Sequence, residues 1–367
     1  MLRRQAHYAG AVLLLVVSAA NAYSLLPPPL TGGLYVTDSG SDSILYISPL
    51  GDVSVAITTQ EILAVTGQES VSFRSKGIAF DSLRNLYFTQ RTAQPVGVTG
   101  FYDALLKKTP GGLTMLATDE QIMTATGAAY ASPTGLAFGT DGMLYTPDDI
   151  TGAGSVLRVD PVTGAVSVFV SNATLVSALG AEMDLEVGIV GGLDGALYGL
   201  SDGVPDTVFK IDAAGAVSVL ADGAPFMDLD VYMTRAPNGD LIIADNHDAD
   251  TIHRVTPAGV VSTFLSKAAM EAVAGGPVDL EAGLAFDSDG NFYLAEENTD
   301  SILKFEPVGG SWTGSVWVSA ADIEAVTGVM PILNGGIAFD PVPEPVTALA
   351  VLSCMAALSG YIRKRVS

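Results

Sequence analysis

GLAFDSDGNFYLAEENTDSILKFEPVGGSWTGSVWVS, residues 283–319, contains four short apolar runs, at 283–286, 291–294, 301–305 and 315–318. Gly, Asp, Asn or Pro stands between each pair of runs. Short apolar runs bounded by turn residues read as strands, so this stretch predicts one four-stranded antiparallel sheet. The same unit recurs along the chain. Its second strand aligns at Leu34-Tyr35, Leu86-Tyr87, Leu144-Tyr145, Leu197-Tyr198, Leu241-Ile242 and Phe292-Tyr293. Six first strands align as well, at 77–80, 135–138, 187–190, 231–235, 283–286 and 336–339, but they are displaced. The series opens on a second strand and closes on a first strand. The last strand can therefore complete the sheet that the first one begins, and a ring follows.

A closed ring of four-stranded sheets is a β-propeller, which leaves only short, protected edges. The predicted fold is all-β, six-bladed and closed by the C-terminal strand. Third strands are expected at 43–47, 104–108, 155–159, 207–211, 251–255 and 301–305, and fourth strands from Val53, Leu113, Val166, Val217, Val261 and Val316. Asp141-Gly142, Asp194-Gly195, Asn238-Gly239 and Asp289-Gly290 suit tight turns that need positive φ. Five of the six connections between blades carry a short helical pattern ending in Gly, at 61–67, 120–127, 173–180, 267–275 and 321–328. Thr118, Ser171, Ser266 and Ser319 are suitable N-caps, and the glycines can end the helices.

The two ends read as addresses. Arg3-Arg4, an apolar run over 9–17 and Ala20-Asn21-Ala22 form the three parts of a secretory signal peptide, residues 1–22. The propeller is assigned to 23–341. After Pro343-Glu344-Pro345 come 17 uncharged residues, 346–362, and then Arg363-Lys364-Arg365. That length just suffices for a transmembrane helix with its basic flank in the cytoplasm. The segment 342–367 resembles the PEP-CTERM sorting signal of exported bacterial proteins. The resemblance implies processing by an exosortase in a Gram-negative bacterium, transient anchoring in the inner membrane, and residence on the cell surface or in the extracellular matrix. An ordinary single-pass anchor is the alternative.

The whole chain of 367 residues carries a formal charge of −23. Setting aside 1–22 (Arg3, Arg4) and 342–367 (Glu344, Arg363, Lys364, Arg365) leaves 12 Lys and Arg against 39 Asp and Glu, a net of −27. Such a body repels nucleic acid and anionic lipid and attracts cations and cationic partners. The single cysteine, Cys354, lies in the tail, so the body has neither a disulfide framework nor a thiolate metal site.

Ile242-Ile243-Ala244-Asp245-Asn246 followed by Thr251-Ile252-His253-Arg254-Val255-Thr256-Pro257 resembles the repeats of NHL and gluconolactonase-like six-bladed propellers. The resemblance spans about 33–340. It implies this fold and, as one activity, metal-assisted hydrolysis of lactones or esters, with Glu281, Asp245 or Asn246 as ligands. No catalytic residue is assigned.

Loops joining strands two to three, and blade to blade, share one end of such a ring and carry nearly every insertion; function concentrates on such loops. Before three consecutive inner strands stands one acidic phrase: Asp184-Leu185-Glu186, Asp228-Leu229-Asp230 and Asp279-Leu280-Glu281. Alternation puts both carboxylates of each phrase on one side. With Asp245 and Asn246 they make an oxygen-rich set suited to Ca²⁺ or another divalent cation, and equally suited to capping turns. Phe101 and Tyr102, at the end of a long loop expected over 92–103, together with His247 and Glu297, are candidate ligand contacts on the same end. Lys107, Arg158, Lys210, Arg254 and Lys304 share one position on the third strands and read as structural. The sequence leaves two functions open: a surface or matrix scaffold that binds protein, glycan or a divalent cation, and a secreted metal-dependent lactonase or esterase.

Overall fold

A computed structural model describes residues 32–73, 77–93, 101–150, 153–180, 185, 188–229, 232–247, 250–281 and 283–341, with backbone only at 92, 93, 101 and 102. The expected signal peptide, the Pro-Glu-Pro motif and the expected membrane-spanning tail lie outside these residues. Among the described residues no helix is long and apolar enough to cross a membrane.

Residues Leu34–Pro341 form one compact unit of six four-stranded antiparallel sheets. Blade 1 is built from β1 (Leu34–Asp38), β2 (Ser43–Ile47) and β3 (Val53–Ile57), with β24 (Ile337–Phe339) as its innermost strand. Leu34 pairs with Phe339 and Val36 with Ile337, so the ring is closed as the displaced repeats require. Blade 2 holds β4 (Ile78–Phe80), β5 (Leu86–Ala93), β6 (Phe101–Thr109) and β7 (Gly112–Thr118); blade 3 holds β8 (Ala137–Phe138), β9 (Leu144–Asp148), β10 (Ser155–Val159) and β11 (Val166–Val170). Blade 4 comprises β12 (Ile189–Gly191), β13 (Leu197–Ser201), β14 (Thr207–Ile211) and β15 (Val217–Asp222). Blade 5 comprises β16 (Met233–Arg235), β17 (Leu241–Asp245), β18 (Thr251–Val255) and β19 (Val261–Leu265). Blade 6 comprises β20 (Leu284–Phe286), β21 (Phe292–Glu296), β22 (Ser301–Val308) and β23 (Ser311–Val318). The six inner strands touch their neighbours in an unbroken circle, β4 to β8, β12, β16, β20, β24 and back to β4.

The core follows from strand alternation. Successive residues of a strand face opposite sides, and in a radial blade those sides are two different neighbours. In each second strand the first residue therefore packs toward the preceding blade and the next toward the following one. Leu34 joins the cluster shared with blade 6 and Tyr35 the cluster shared with blade 2; Leu197 packs against blade 3 and Tyr198 against blade 5. Six clusters result, one at each boundary, so the repeating dipeptide is what closes the core.

The tight-turn end is stitched by a repeated bracket. The Tyr hydroxyls of residues 87, 145, 198 and 293 donate to Asp81, Asp141, Asp194 and Asp287 at 3.0, 3.0, 2.9 and 3.0 Å. The third-strand cations complete it. Lys107, Lys210 and Lys304 sit 5.2, 5.6 and 5.9 Å from the ring centres of Tyr87, Tyr198 and Tyr293, while Arg158 and Arg254 donate to Asp141 and Asp240. Gly142, Gly195, Gly239 and Gly290 take positive φ in the adjoining turns.

The five inter-blade helices are α1 (Thr59–Thr66), α2 (Asp119–Thr126), α3 (Asn172–Leu179), α4 (Lys267–Ala274) and α5 (Ala320–Thr327). Thr58, Thr118, Ser171, Ser266 and Ser319 cap their N-termini, and a left-handed Gly ends each one. Each buries one aliphatic anchor: Ile62, Ile122, Leu175, Met270 or Ile323.

First strands start one to two residues later than expected and the first helix two residues earlier, and two boundaries differ more. In blade 2 the pairing runs on to Thr92–Tyr102 and Ala93–Phe101, so Phe101 and Tyr102 belong to a strand and the connection shortens to 94–100. Backbone pairing needs no apolar alternation once a hairpin arm has started, which is why Gln90–Ala93 did not read as strand. In blade 6, β22 and β23 extend to a turn at Gly309-Gly310, both at positive φ, and pair as far as Val308–Ser311.

Candidate acidic binding face

Every second strand ends at the loop-rich mouth, beneath the segment arriving from the previous blade. That segment's N–H groups have no ladder partner, and buried donors must find one. In four blades a buried carboxylate at the strand end supplies it. Asp38 accepts from Ile332 N at 2.9 Å, Asp148 from Ser132 N at 2.7 Å, Asp245 from Asp228 N at 3.0 Å and Glu296 from Asp279 N at 2.9 Å. Gln90 and Ser201 hold the same place in blades 2 and 4, both fully buried. Asp245 also accepts from Met227 N at 3.3 Å and lies 2.9 Å from His253 Nε2, whose ring meets Phe226 edge-on at 5.4 Å. Asp245 thus serves the framework, fastening the entry to blade 5.

Around this anchor the mouth of blades 4–6 gathers further acids. Asp206, which follows Asp202 across the β13–β14 loop, is hydrogen-bonded to it carboxyl to carboxyl. Burial first, then that bond and the charges of Asp202, Asp245 and Asp228 push Asp206 up to about 7. Asp228 is raised too, by burial foremost and then by Asp202 and Asp245, while His247 opposes the rise. Glu281, half-buried, lies beyond Asn246, whose Nδ2 reaches Glu281 Oε1 at 3.4 Å. With the amide turned over, Asn246 instead donates to Asp250 Oδ1 at 3.2 Å and Asp279 Oδ1 at 3.3 Å. Asp250 is raised by burial despite its ion pair with Lys267. Glu281 and Glu297 both lie near the buried Tyr232 hydroxyl and raise it after burial.

Of the residues singled out in the sequence, Asp228, Asp245, Asn246, His247, Asp279, Glu281 and Glu297 come together across blades 4–6. Leu185, Leu229 and Leu280 of the acidic phrases are buried, as alternation requires. Asp184, Glu186 and Asp230 lie outside the described residues, as do the side chains of Phe101 and Tyr102. Among the described residues no group of three or more His, Cys, Asp or Glu is close enough to hold a metal ion. Asp206 was overlooked in the sequence; its signal is a second Asp just before β14, after Asp202-Gly203-Val204-Pro205.

No family model matches the chain. No curated protein matches it either. Among solved structures, a chain of the nidogen/laminin complex overlays with a TM-score of 0.57 at 12% identity, covering 85% of this chain and 99% of that one. A protein of unknown function from Bacteroides thetaiotaomicron overlays with a TM-score of 0.50 at 12% identity, over 78% of this chain and 65% of that one. A gluconolactonase from Xanthomonas campestris overlays with a TM-score of 0.45 at 16% identity, over 66% of this chain and 75% of that one. Such identities speak to the propeller fold alone.

Proposed function

We propose that this protein is an exported binding scaffold whose loop-rich face takes positively charged ligands at the mouth of blades 4–6. The observation that carries this is the crowding of Asp202, Asp206, Asp228 and Glu281, in which burial and mutual repulsion hold Asp206 and Asp228 above the ordinary carboxylate range. A cation entering there relieves the repulsion, so binding is favoured by the field already present. The ligand is the basic groups of a surface protein or matrix glycan, or a hydrated divalent cation held by the field of these acids rather than by a ready set of three carboxylate ligands.

Topology suits display. β24 ends and β1 begins at the tight-turn end, where Leu34 faces Phe339. Both ends of the propeller, Leu34 and Phe339, therefore lie opposite the acidic face. With 1–22 as signal peptide and 342–367 as an exosortase-processed PEP-CTERM signal, the body is displayed at a bacterial surface or matrix.

The test is calorimetric titration of Ca²⁺, Mg²⁺ and Zn²⁺ into the metal-stripped protein, beside a panel of lactones and esters. Saturable binding that disappears in Asp228→Asn/Glu281→Gln, with no turnover, is expected. Metal-dependent lactone hydrolysis would replace the scaffold with the secreted hydrolase. Undiminished binding by the double variant would remove the site.

A further inference from the structure

The six blades are copies of one design, so a place where one copy lacks what two others have is informative. At the loop end of blade 1, Asp38 lies opposite Ser43. Ser41 Oγ knits the two together, donating to Asp38 Oδ2 at 2.5 Å and lying 2.6 Å from Ser43 Oγ. Blade 6 repeats this. Glu296 lies opposite Ser301, and Thr299 Oγ1 bridges them at 2.5 and 2.7 Å.

Blade 3 has the same pair without the bridge. Asp148 lies opposite Ser155, but the connection between their strands runs over six residues, 149–154, against four in blades 1 and 6. Asp148 Oδ1 accepts from Ser132 N, while Asp148 Oδ2 and Ser155 Oγ are both buried with no hydrogen-bond partner. Asp148 is 0% exposed and Ser155 4%. A buried, unsatisfied carboxylate oxygen is costly, more so beside a second acid. That acid is Asp103; among the described residues Arg91 binds it at 2.9 Å and also reaches Ser132 Oγ at 2.5 Å. A water molecule would satisfy the lone pairs of Asp148 and Ser155 and leave the charge. A cation satisfies both.

We propose that the Asp148–Ser155 pair, at the boundary of blades 2 and 3, holds a small oxygen-seeking cation, with Asp148 Oδ2 and Ser155 Oγ as side-chain ligands. Hard cations complete such a shell with backbone carbonyls and water. The bound ion takes the place of the hydroxyl bridge of blades 1 and 6. The site is separate from the acidic mouth of blades 4–6 and stands without it.

The experiment is thermal unfolding of the full chain, stripped with chelator in a buffer free of Na⁺, as Ca²⁺ is added. Wild type is compared with Asp148→Asn, Ser155→Ala and the mouth variant Asp228→Asn/Glu281→Gln. Ca²⁺ is expected to raise the melting temperature of wild type and of the mouth variant by about 5 °C. Asp148→Asn should lose the shift, and Ser155→Ala should need about tenfold more Ca²⁺ to reach it. Should Asp148→Asn not fold, Ser155→Ala decides. A wild type that does not respond to Ca²⁺, or a response undiminished in Ser155→Ala, overturns the site and leaves a trapped water.

Discussion

Arg84→Ala is expected to loosen the ring at its seam. Arg84 sits in the β4–β5 turn of blade 2 with φ 66° and reaches across to Asp340, just past the closing strand β24. Its Nε donates to Asp340 Oδ1 at 2.7 Å and its second nitrogen to Oδ2. The Asp340 side chain is 1% exposed and that of Arg84 21%. Breaking a buried pair strands the surviving charge and costs about 3–5 kcal/mol; the partial exposure of Arg84 argues for the lower figure, about 3 kcal/mol. At about 2.1 cal/mol/K of unfolding entropy per residue, a unit of this size loses about 5 °C in melting temperature. Burial already raises the Asp340 carboxyl, and Arg84 opposes the rise. Without Arg84 the folded-state pKa climbs further above the unfolded value. The deficit should therefore be full above that raised pKa and shrink as acid protonates Asp340. Urea unfolding of Arg84→Ala, Asp340→Asn and the double variant, at neutral and acid pH, measures this. A loss below about 1 kcal/mol, or single-variant costs that simply add, would refute the seam as a buried, coupled pair.

Other positions give independent tests. Phe292→Ala, fully buried between blades 5 and 6, should cost about 3–5 kcal/mol in urea unfolding. Gly164→Ala forces a side chain at φ 73° into the Leu116 carbonyl oxygen and should cost more than about 3 kcal/mol; Gly67→Ala, at φ 69° with open space around it, should cost about 1. Asp206 is raised in the folded protein, so it binds a proton there that the unfolded chain has lost. Its contribution to stability thus declines as pH rises from the ordinary carboxylate range through about 7. Asp206→Asn should flatten that decline between pH 5 and 8, and an unchanged slope would show that the pair does not share a proton.

The parts of the fold legible in the sequence are those that repeat. Leu-Tyr dipeptides mark the second strands because alternation sends one side chain to each neighbouring blade, and Asp-Gly turns mark positions that need positive φ. The displaced first and second strands disclosed the closure, later seen as Leu34 facing Phe339. Hairpin arms were less legible: pairing of Thr92 with Tyr102 and of Pro307 with Trp312 continues beyond the buried core and leaves no hydrophobic pattern. The acidic phrases contribute Asp228, Asp279 and Glu281 to the mouth of blades 4–6, yet an acid at a strand end looks the same in sequence whether it awaits a ligand or holds a backbone N–H. Asp245 and Glu296 hold N–H groups 17 residues upstream, and only the folded chain reveals them. Asp206 escaped notice because its partnership with Asp202 depends on the intervening loop folding back.

The most direct measurement is the affinity of the protein for a short oligolysine peptide over a range of salt concentrations, with charges neutralised at one end of the propeller or the other. If the mouth of blades 4–6 is the binding face, Asp202→Asn/Asp228→Asn/Glu281→Gln should lose at least tenfold in affinity and much of its salt dependence. The equal charge change Asp52→Asn/Asp160→Asn/Asp212→Asn at the tight-turn end should leave both nearly unchanged. Equal losses from the two triple variants would mean that net charge alone attracts the peptide, and the acidic face would not be a site.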